Sequence, residues 1–347
     1  MIPAGAFRES IAGFLAPIRA HLDDDSVSEV MINSWNDIWI ERGGSVERSA
    51  ERFPSREALV AALTNIAQFT GRPFDEERPI LEAHLPDGSR LEAVLDPIAE
   101  RGPVVAIRRF SRSTLTVGRL VELGSLTREA TLFLGRAIRA GRNTVVSGGT
   151  GTGKTSLLGA LSSFAPDNER ILVLEDTREL ALQKDHVVYL ETRSADDRGR
   201  GRVSLRDLLR ATLRLRPDRI VVGEIRGAEA IDLVQAMNTG HRGSMTTVHA
   251  NSPRDALRRI ETMAVMADSG LPLEALRTQI SSAVDLVVQA ERTPEGRRRV
   301  GEICAVAGNG GGGGDRAVRT LFARNRKGDL VFVSKKKKGR SDDKKKS

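Results

Sequence analysis

An α/β fold with a mostly parallel sheet, preceded by a smaller α+β domain, is what this sequence predicts. Three observations carry that expectation. From about Thr127 onward, short apolar runs alternate with helical patterns: "NTVVSG", then Lys154 to Ser162, "RILVLED", "SLRDLLRATLRL" and "RIVVGE". Strands joined by helical crossovers lie parallel and are covered on both faces, which explains runs with no polar alternation. Before residue 110 the pattern differs, with short alternating strands and one strong helix. Third, 39% hydrophobic and 29% charged residues over 347 positions suit chains that bury a core in two domains of ordinary size.

The first domain, residues 1–112, is read element by element. Apolar Phe7, Ile11, Phe14, Leu15 and Ile18 suggest an amphipathic helix shortened by Pro17, packed on its own domain. "SEVMIN" and "DIWIER" are strands around a turn at Asn33–Asn36. "SREALVAALTNIAQFTG" has Ser55 as N-cap and Gly71 as stop. "PILEAHLPDGSRLEAVLDPI" is a hairpin about Pro86-Asp87-Gly88, and "PVVAIRRF" is a further strand. Residues 113–126 read as a connector. The second domain runs over 127–334, including the low-complexity "GNGGGGGD" at 308–315, read as a flexible loop.

Charge and cysteine content exclude several classes. The net charge is +8, but the tail "KKKKGRSDDKKKS" (335–347) holds eight positive and two negative charges, so the remaining 334 residues carry only +2. A tail of this kind reads as a solvated, disordered extension, with binding to acidic lipid or nucleic acid as the alternative. Thirteen aromatic residues, 4%, also argue against a single-strand binding groove. A single cysteine, Cys304, excludes a disulfide framework and a paired-cysteine zinc site. No apolar run reaches the roughly 18 residues of a membrane span, and the start lacks the basic and apolar regions of a signal peptide.

Chemistry concentrates in four stretches. "SGGTGTGKTSLL" (147–158) places Gly148, Gly149, Thr150, Gly151, Thr152, Gly153, Lys154, Thr155 and Ser156 between a strand and a helix. Glycines let backbone N–H groups wrap phosphate, Lys154 neutralises the β- and γ-phosphates, and Thr155 offers a hydroxyl to Mg²⁺. The spacing indicates nucleoside triphosphate binding. "RIVVGEIRG" ends an apolar strand in Glu224, expected to reach Mg²⁺ through water or to polarise water; its alternative is a surface pair with Arg226 or Arg219. "LVLEDTREL" brings Glu175, Asp176 and Glu179 to a strand end, as a water-orienting base or as a capping box from Asp176 to Glu179. "NTGHRGSMTTVHANSP" carries His241 and His249, candidates to sense γ-phosphate or to bond the catalytic carboxylate. Arginines stand at Arg108 and Arg109, and at Arg193, Arg198, Arg200, Arg202, Arg206 and Arg210; a guanidinium that reaches γ-phosphate stabilises developing charge.

Together these stretches resemble the Walker A, Asp box, atypical Walker B and His box of secretion-superfamily ATPases. The wording of "LRATLRLRPDRIVVGEIRGAEAIDLVQAMNTGHRGSMTTVHANSPRDALRRIETM" is most similar to the CpaF/TadA branch, the motors of tight-adherence (Flp) pili. The resemblance implies a RecA-like P-loop NTPase domain, ATP and Mg²⁺ as ligands, and a homo-hexameric ring with ATP in the cleft between domains. It also implies a cytoplasmic protein working peripherally at the inner membrane, on the platform proteins of a pilus or secretion machine, with no specific nucleic acid. It assigns Lys154 and Thr155 to phosphate and Mg²⁺, Glu224 to Walker B, Glu175 and Glu179 to the Asp box, and His241 and His249 to the His box. Arg108 or Arg109 is implied at γ-phosphate, with Arg193 or Arg210 acting from a neighbour. A type IV secretion ATPase is the alternative within this class. A RecA-like nucleic-acid motor and a nucleotide-binding regulator without turnover are the readings outside it. The single cysteine excludes the four-cysteine zinc module of many type II secretion ATPases, and the glycine run and lysine tail depart from the family pattern.

Overall fold

A computed structural model describes residues 11, 13–109, 115–195, 199–268, 270–306 and 318–333. Phe7, Arg198, the glycine run at 308–315 and the tail at 335–347 lie outside these. Residue contacts group the chain into two compact units, 1–114 with 173–183 and 188–211, and 115–172 with 184–187 and 212–347.

In the first unit the amphipathic start breaks at Pro17 into a 3-10 turn (Ala16–Ile18) and α1 (Arg19–Asp23), with Ile11, Leu15 and Ile18 buried. A six-stranded antiparallel sheet follows, in the order β3-β2-β1-β6-β5-β4. Its strands are β1 (Val27–Ser34), β2 (Asp37–Arg42), β3 (Ser45–Arg48), β4 (Ile80–His84), β5 (Arg90–Val94) and β6 (Val104–Arg108). Between β3 and β4 runs α2 (Arg56–Thr70). The Ser55 hydroxyl accepts the Ala58 N–H at its start, and Gly71, at φ +67°, ends it in a left-handed turn. Leu59, Leu63 and Ile66 on α2 join Val30, Ile32, Ile40, Leu91 and Ile107 of the sheet in one core. Each such fully buried side chain contributes about 1.5–3 kcal/mol.

Part of the expected connector is helical. It forms α3 (Val117–Glu122), because Thr116 accepts the Arg119 N–H as a cap and Leu120 is buried. Next come α4 (Arg128–Arg139), β7 (Thr144–Gly148), α5 (Lys154–Ser162), β8 (Ile171–Glu175), β9 (Val187–Glu191) and α6 (Leu205–Thr212). They are followed by β10 (Arg219–Val222), α7 (Glu229–Asn238), β11 (Met245–His249), α8 (Pro253–Met266), α9 (Leu273–Ala283) and β12 (Leu286–Arg292). The antiparallel strands β13 (Arg298–Val306), β14 (Val318–Arg324) and β15 (Leu330–Phe332) complete the described chain.

Strands β7 to β15 form a sheet in the order β15-β14-β13-β12-β7-β11-β10-β8-β9. β7 is parallel to both its neighbours, β12 and β11. The strand that follows β7 in the chain lies on one side of it and β12 on the other. The carboxyl end of β7 is therefore a switch point of the sheet, the position at which open α/β sheets take their ligands. Among the described residues no helix is long and apolar enough to cross a membrane.

The opposite end of the sheet is pinned by Arg219, which has no exposed surface. Its guanidinium bonds Glu169 at 2.7 and 3.2 Å and the carbonyls of Ile138 and Gly243 at 3.2 and 3.0 Å. The sequence offered Arg219 as a surface partner for Glu224, and the structure corrects this: the arginine begins a buried strand and turns toward Glu169. Gly243, at φ +79°, has no room for a side chain, since a Cβ would stand 2.6 Å from the guanidinium carbon. Removing one partner of a buried charge pair strands the other. Arg219→Met is therefore expected to lower the unfolding free energy by about 2–4 kcal/mol in urea titrations; a loss under about 0.5 kcal/mol, the range of ordinary surface changes, would remove the anchor role.

Candidate functional site

The loop after β7 is built for close approach. A Cβ on Gly148 would lie 2.5 Å from the Ala290 carbonyl oxygen and 2.6 Å from Thr152 Oγ1, so only glycine fits. Gly151 and Gly153, at φ +71° and +84°, turn the chain through left-handed conformations before α5 begins. Helices α2, α3, α4 and α8 each have a Ser or Thr side chain capping the first turn, and α5 has none. Its amino end thus offers N–H donors and a positive dipole end, the arrangement that takes phosphate. Thr155 and Ser156 stand in that first turn, half-buried and exposed respectively. The Thr152 hydroxyl donates to the Gly149 carbonyl at 2.9 Å, closing the loop on itself.

Lys154 is only 7% exposed. A buried ammonium needs acceptors. It donates to the Gly149 carbonyl at 2.9 Å and lies 3.3 Å from His249 Nε2, which also stands 3.0 Å from the Thr150 hydroxyl. On the other side of the ring, His249 Nδ1 meets Glu224 Oε1 in a short contact. An ammonium can only donate and a carboxylate only accept. Nε2 therefore carries the lone pair and Nδ1 the proton, and one neutral tautomer satisfies both partners. The strand ends set this row: β10 delivers Glu224 through Gly223, whose carbonyl accepts from the Thr247 hydroxyl at 2.7 Å, and β11 ends on His249. Burial pushes the Glu224 carboxyl up, but hydrogen bonds from Arg226, at 2.8 Å, and from His249 outweigh it and hold the group below the usual range. The expected pair with Arg226 therefore forms, and the same carboxylate also meets His249.

His241 is not part of this row. It precedes β11 and packs on the carboxyl end of α7, with Nδ1 3.3 Å from the Ala236 carbonyl. Strand β11 lies between the two histidines, so they stand at opposite ends of the sheet.

The acids of "LVLEDTREL" belong to the first unit. Glu175 ends β8 at 5% exposure and accepts N–H bonds from Glu179 and Leu180, each at 3.1 Å. Burial raises its carboxyl to about 7, against those two bonds and with the help of the Glu179 and Glu191 charges. Asp176 starts no helix, so the capping box does not form; its carbonyl instead accepts from the Thr192 hydroxyl at 3.1 Å. Glu179 pairs with Arg108 at 3.3 Å, and Glu191 with His84 at 3.3 Å. Arg109, in contrast, is turned inward, donating to the carbonyls of Asp24 and of Val27, the latter at 3.1 Å. Arg193 donates to the Gly201 carbonyl at 2.6 Å, and Arg210 on α6 lies in the field of Asp207. Sequence reasoning missed His84 and Glu191, which carry no motif; their only signal is an acid and a histidine on exposed strand positions.

Glu175 yields a pH prediction with a definite sign. Its folded pKa lies above the unfolded value, so the native state holds the proton more tightly. That stabilisation is complete below about 4.5 and is lost as pH rises through about 7. Between pH 5 and pH 8, denaturant titrations are expected to show a fall of about 2–3 kcal/mol from this group, and Glu175→Gln is expected to flatten it. An unchanged slope in the variant would refute the assignment.

The same chain can be compared with known proteins. Residues 14–305 match the family model described as Type II/IV secretion system protein. A putative conjugal transfer protein of Mycobacterium tuberculosis is 36% identical over 301 residues, covering 85% of this chain and 84% of that one. The type IV secretion system protein PtlH of Bordetella pertussis is 34% identical over 321 residues, covering 85% and 94%. The crystal structure of the ATPase DotB of Legionella pneumophila superposes with a TM-score of 0.58 at 20% identity, covering 84% of this chain and 80% of that one, a likeness of fold. With its four motifs in order on a RecA-like P-loop α/β architecture, the chain belongs to the type II/IV secretion system protein family.

Proposed function

We propose that this protein is an ATP-hydrolysing motor of a type IV secretion or conjugal transfer machine. The observation that carries the reading is the row Lys154–His249–Glu224 beside the uncapped amino end of α5. The loop fits a triphosphate: glycine is required at Gly148, the α5 donors are left uncapped, and a buried lysine rests on weak acceptors that phosphate oxygens replace. In this reading Gly149 to Ser156 wrap the phosphates, and Lys154 neutralises the β- and γ-groups. Thr155 and Glu224 would hold Mg²⁺, which when bound supplies charge neutralisation at the phosphates. His249 is the γ-phosphate sensor: when Lys154 turns to phosphate, Nε2 keeps only the Thr150 hydroxyl while Nδ1 keeps Glu224. Glu175 takes the role of water-orienting base on its titration near neutrality. Of the two neighbouring arginines, Arg108 is assigned to phosphate, because Arg109 is committed to backbone carbonyls. Arg193 or Arg210 acts from an adjacent subunit of a homo-hexamer, and the motor works at the inner membrane on platform proteins.

Two relatives named for conjugal transfer and type IV secretion support the type IV assignment. A tight-adherence pilus motor is the second reading, favoured by the wording of residues 209–263.

ATP turnover with Mg²⁺, measured per chain across a dilution series, is expected to rise with protein concentration as subunits assemble. Glu224→Gln is expected to lower kcat by about 100-fold or more while ATP binding changes by less than about threefold. Lys154→Ala is expected to lose ATP binding. Full turnover in Glu224→Gln would overturn the reading.

A further inference from the structure

Strand β12 begins "LVVQA", and its first five residues are buried. Gln289 is the polar exception, 8% exposed. A buried carboxamide left without partners costs about 1–3 kcal/mol, so a strand tolerates one only where both ends are satisfied. Both are. Oε1 accepts from the fully buried Ser147 hydroxyl at 2.5 Å, and Nε2 donates to the Ala250 carbonyl at 3.2 Å. The orientation follows from chemistry, since the carbonyl can only accept.

The positions of those partners give the amide more than a packing role. Gln289 is the register neighbour of Ser147 on β7, and Ser147 of Val248 on β11. The amide therefore reaches across the phosphate-loop strand to the residue that follows His249. Ala250 is held twice, since its N–H also donates to the Gly148 carbonyl at 3.3 Å. Next to Gln289, the Ala290 carbonyl is the wall that forbids a side chain on Gly148.

We propose that Gln289 is a positioning residue that sets His249 against the phosphate loop, by tying the Ser147 hydroxyl and the Ala250 carbonyl into one bridge over three strands. The proposal rests on the ATPase reading for its kinetic consequence and on geometry alone for its structural one. Gln289 directs its side-chain hydrogen bonds to Ser147 and Ala250. It acts through the main chain of His249, whose ring must meet Glu224 on one side and Lys154 and Thr150 on the other. A small displacement of that ring loses alignment rather than nucleotide affinity.

The test compares Gln289→Met, Ser147→Ala and the double variant in the full-length protein. In nucleotide-free protein, the His249 ring nitrogen and Nδ1 proton signals are expected to shift in both single variants, with the other four histidines unchanged. In turnover assays, Gln289→Met is expected to lower kcat by about tenfold with KM for ATP within about threefold, and the double variant to add little, since both changes break one bridge. Unshifted His249 signals in folded Gln289→Met would overturn the proposal, as would KM rising in step with the loss of kcat. Should Gln289→Met fail to fold, Ser147→Ala decides alone, because it removes only a hydroxyl: shifted His249 signals support the bridge and unshifted ones sink it. A wild-type protein without ATP turnover counts against the ATPase reading, and the ring signals still decide for or against Gln289.

Discussion

A lysine ammonium buried to 7% exposure is the constraint on which the second unit's site depends. Burial disfavours the charged form of a lysine unless acceptors surround it. Here the His249 imidazole stands between the ammonium and the Glu224 carboxylate. The neutral ring accepts a hydrogen bond from the ammonium and donates one to the carboxylate, which links the two charges. This arrangement is satisfied but weakly held, since a carbonyl and an imidazole are poorer acceptors for an ammonium than a phosphate oxygen. The site is thus stable without ligand and still yields to one.

The architecture follows from that row. Three parallel strands have to end together for Gly148, Glu224 and His249 to meet, and strand pairing between β7, β11 and β10 brings this about. A one-residue slip in β11 would turn His249 to the other face, because side chains alternate along a strand. The register is guarded at both ends. Arg219 locks the entry to β10 against Gly243 and Ile138, and Gln289 locks the exit of β11 against Ser147. Buried polar groups serve here where apolar ones would allow slippage.

Local signals made much of this legible, and distant ones did not. Ser55 and Gly71 bounded a helix because capping is decided within four residues. The phosphate loop was readable because its glycines, lysine and hydroxyls are consecutive, Glu224 because it closes an apolar strand, and His249 because it shares with His241 a stretch dense in glycine and small hydroxyl residues. Arg219 was misread because its partner Glu169 lies 50 positions away, and nothing nearby marks the arginine as buried. Gln289 escaped notice because its partner Ser147 is 142 positions distant. His241 and His249 looked alike in sequence, yet a five-residue strand separates them. Arg108 and Arg109 are adjacent, and strand alternation alone turns one to Glu179 and the other to backbone carbonyls.

Two carboxylates in this chain are driven in opposite directions, and that divergence argues for distinct roles. Burial acts strongly on Glu224, but the hydrogen bonds from Arg226 and His249 to its anionic form together outweigh it, so it stays ionised at neutral pH. Glu175 has only main-chain N–H donors and two like charges nearby, and burial prevails, raising it to about 7. An anion fixed at all working pH values suits a group that holds a cation and an imidazole. A carboxyl poised near neutrality suits a group that takes up and releases a proton. Arg108 and His84 lie on the partners of those like charges, paired with Glu179 and Glu191. Drawing Arg108 away from Glu179 would leave that carboxylate uncompensated and push Glu175 higher still. Burial therefore sets the proton affinity of the acid that ends β8, and the Arg108–Glu179 pair adjusts it.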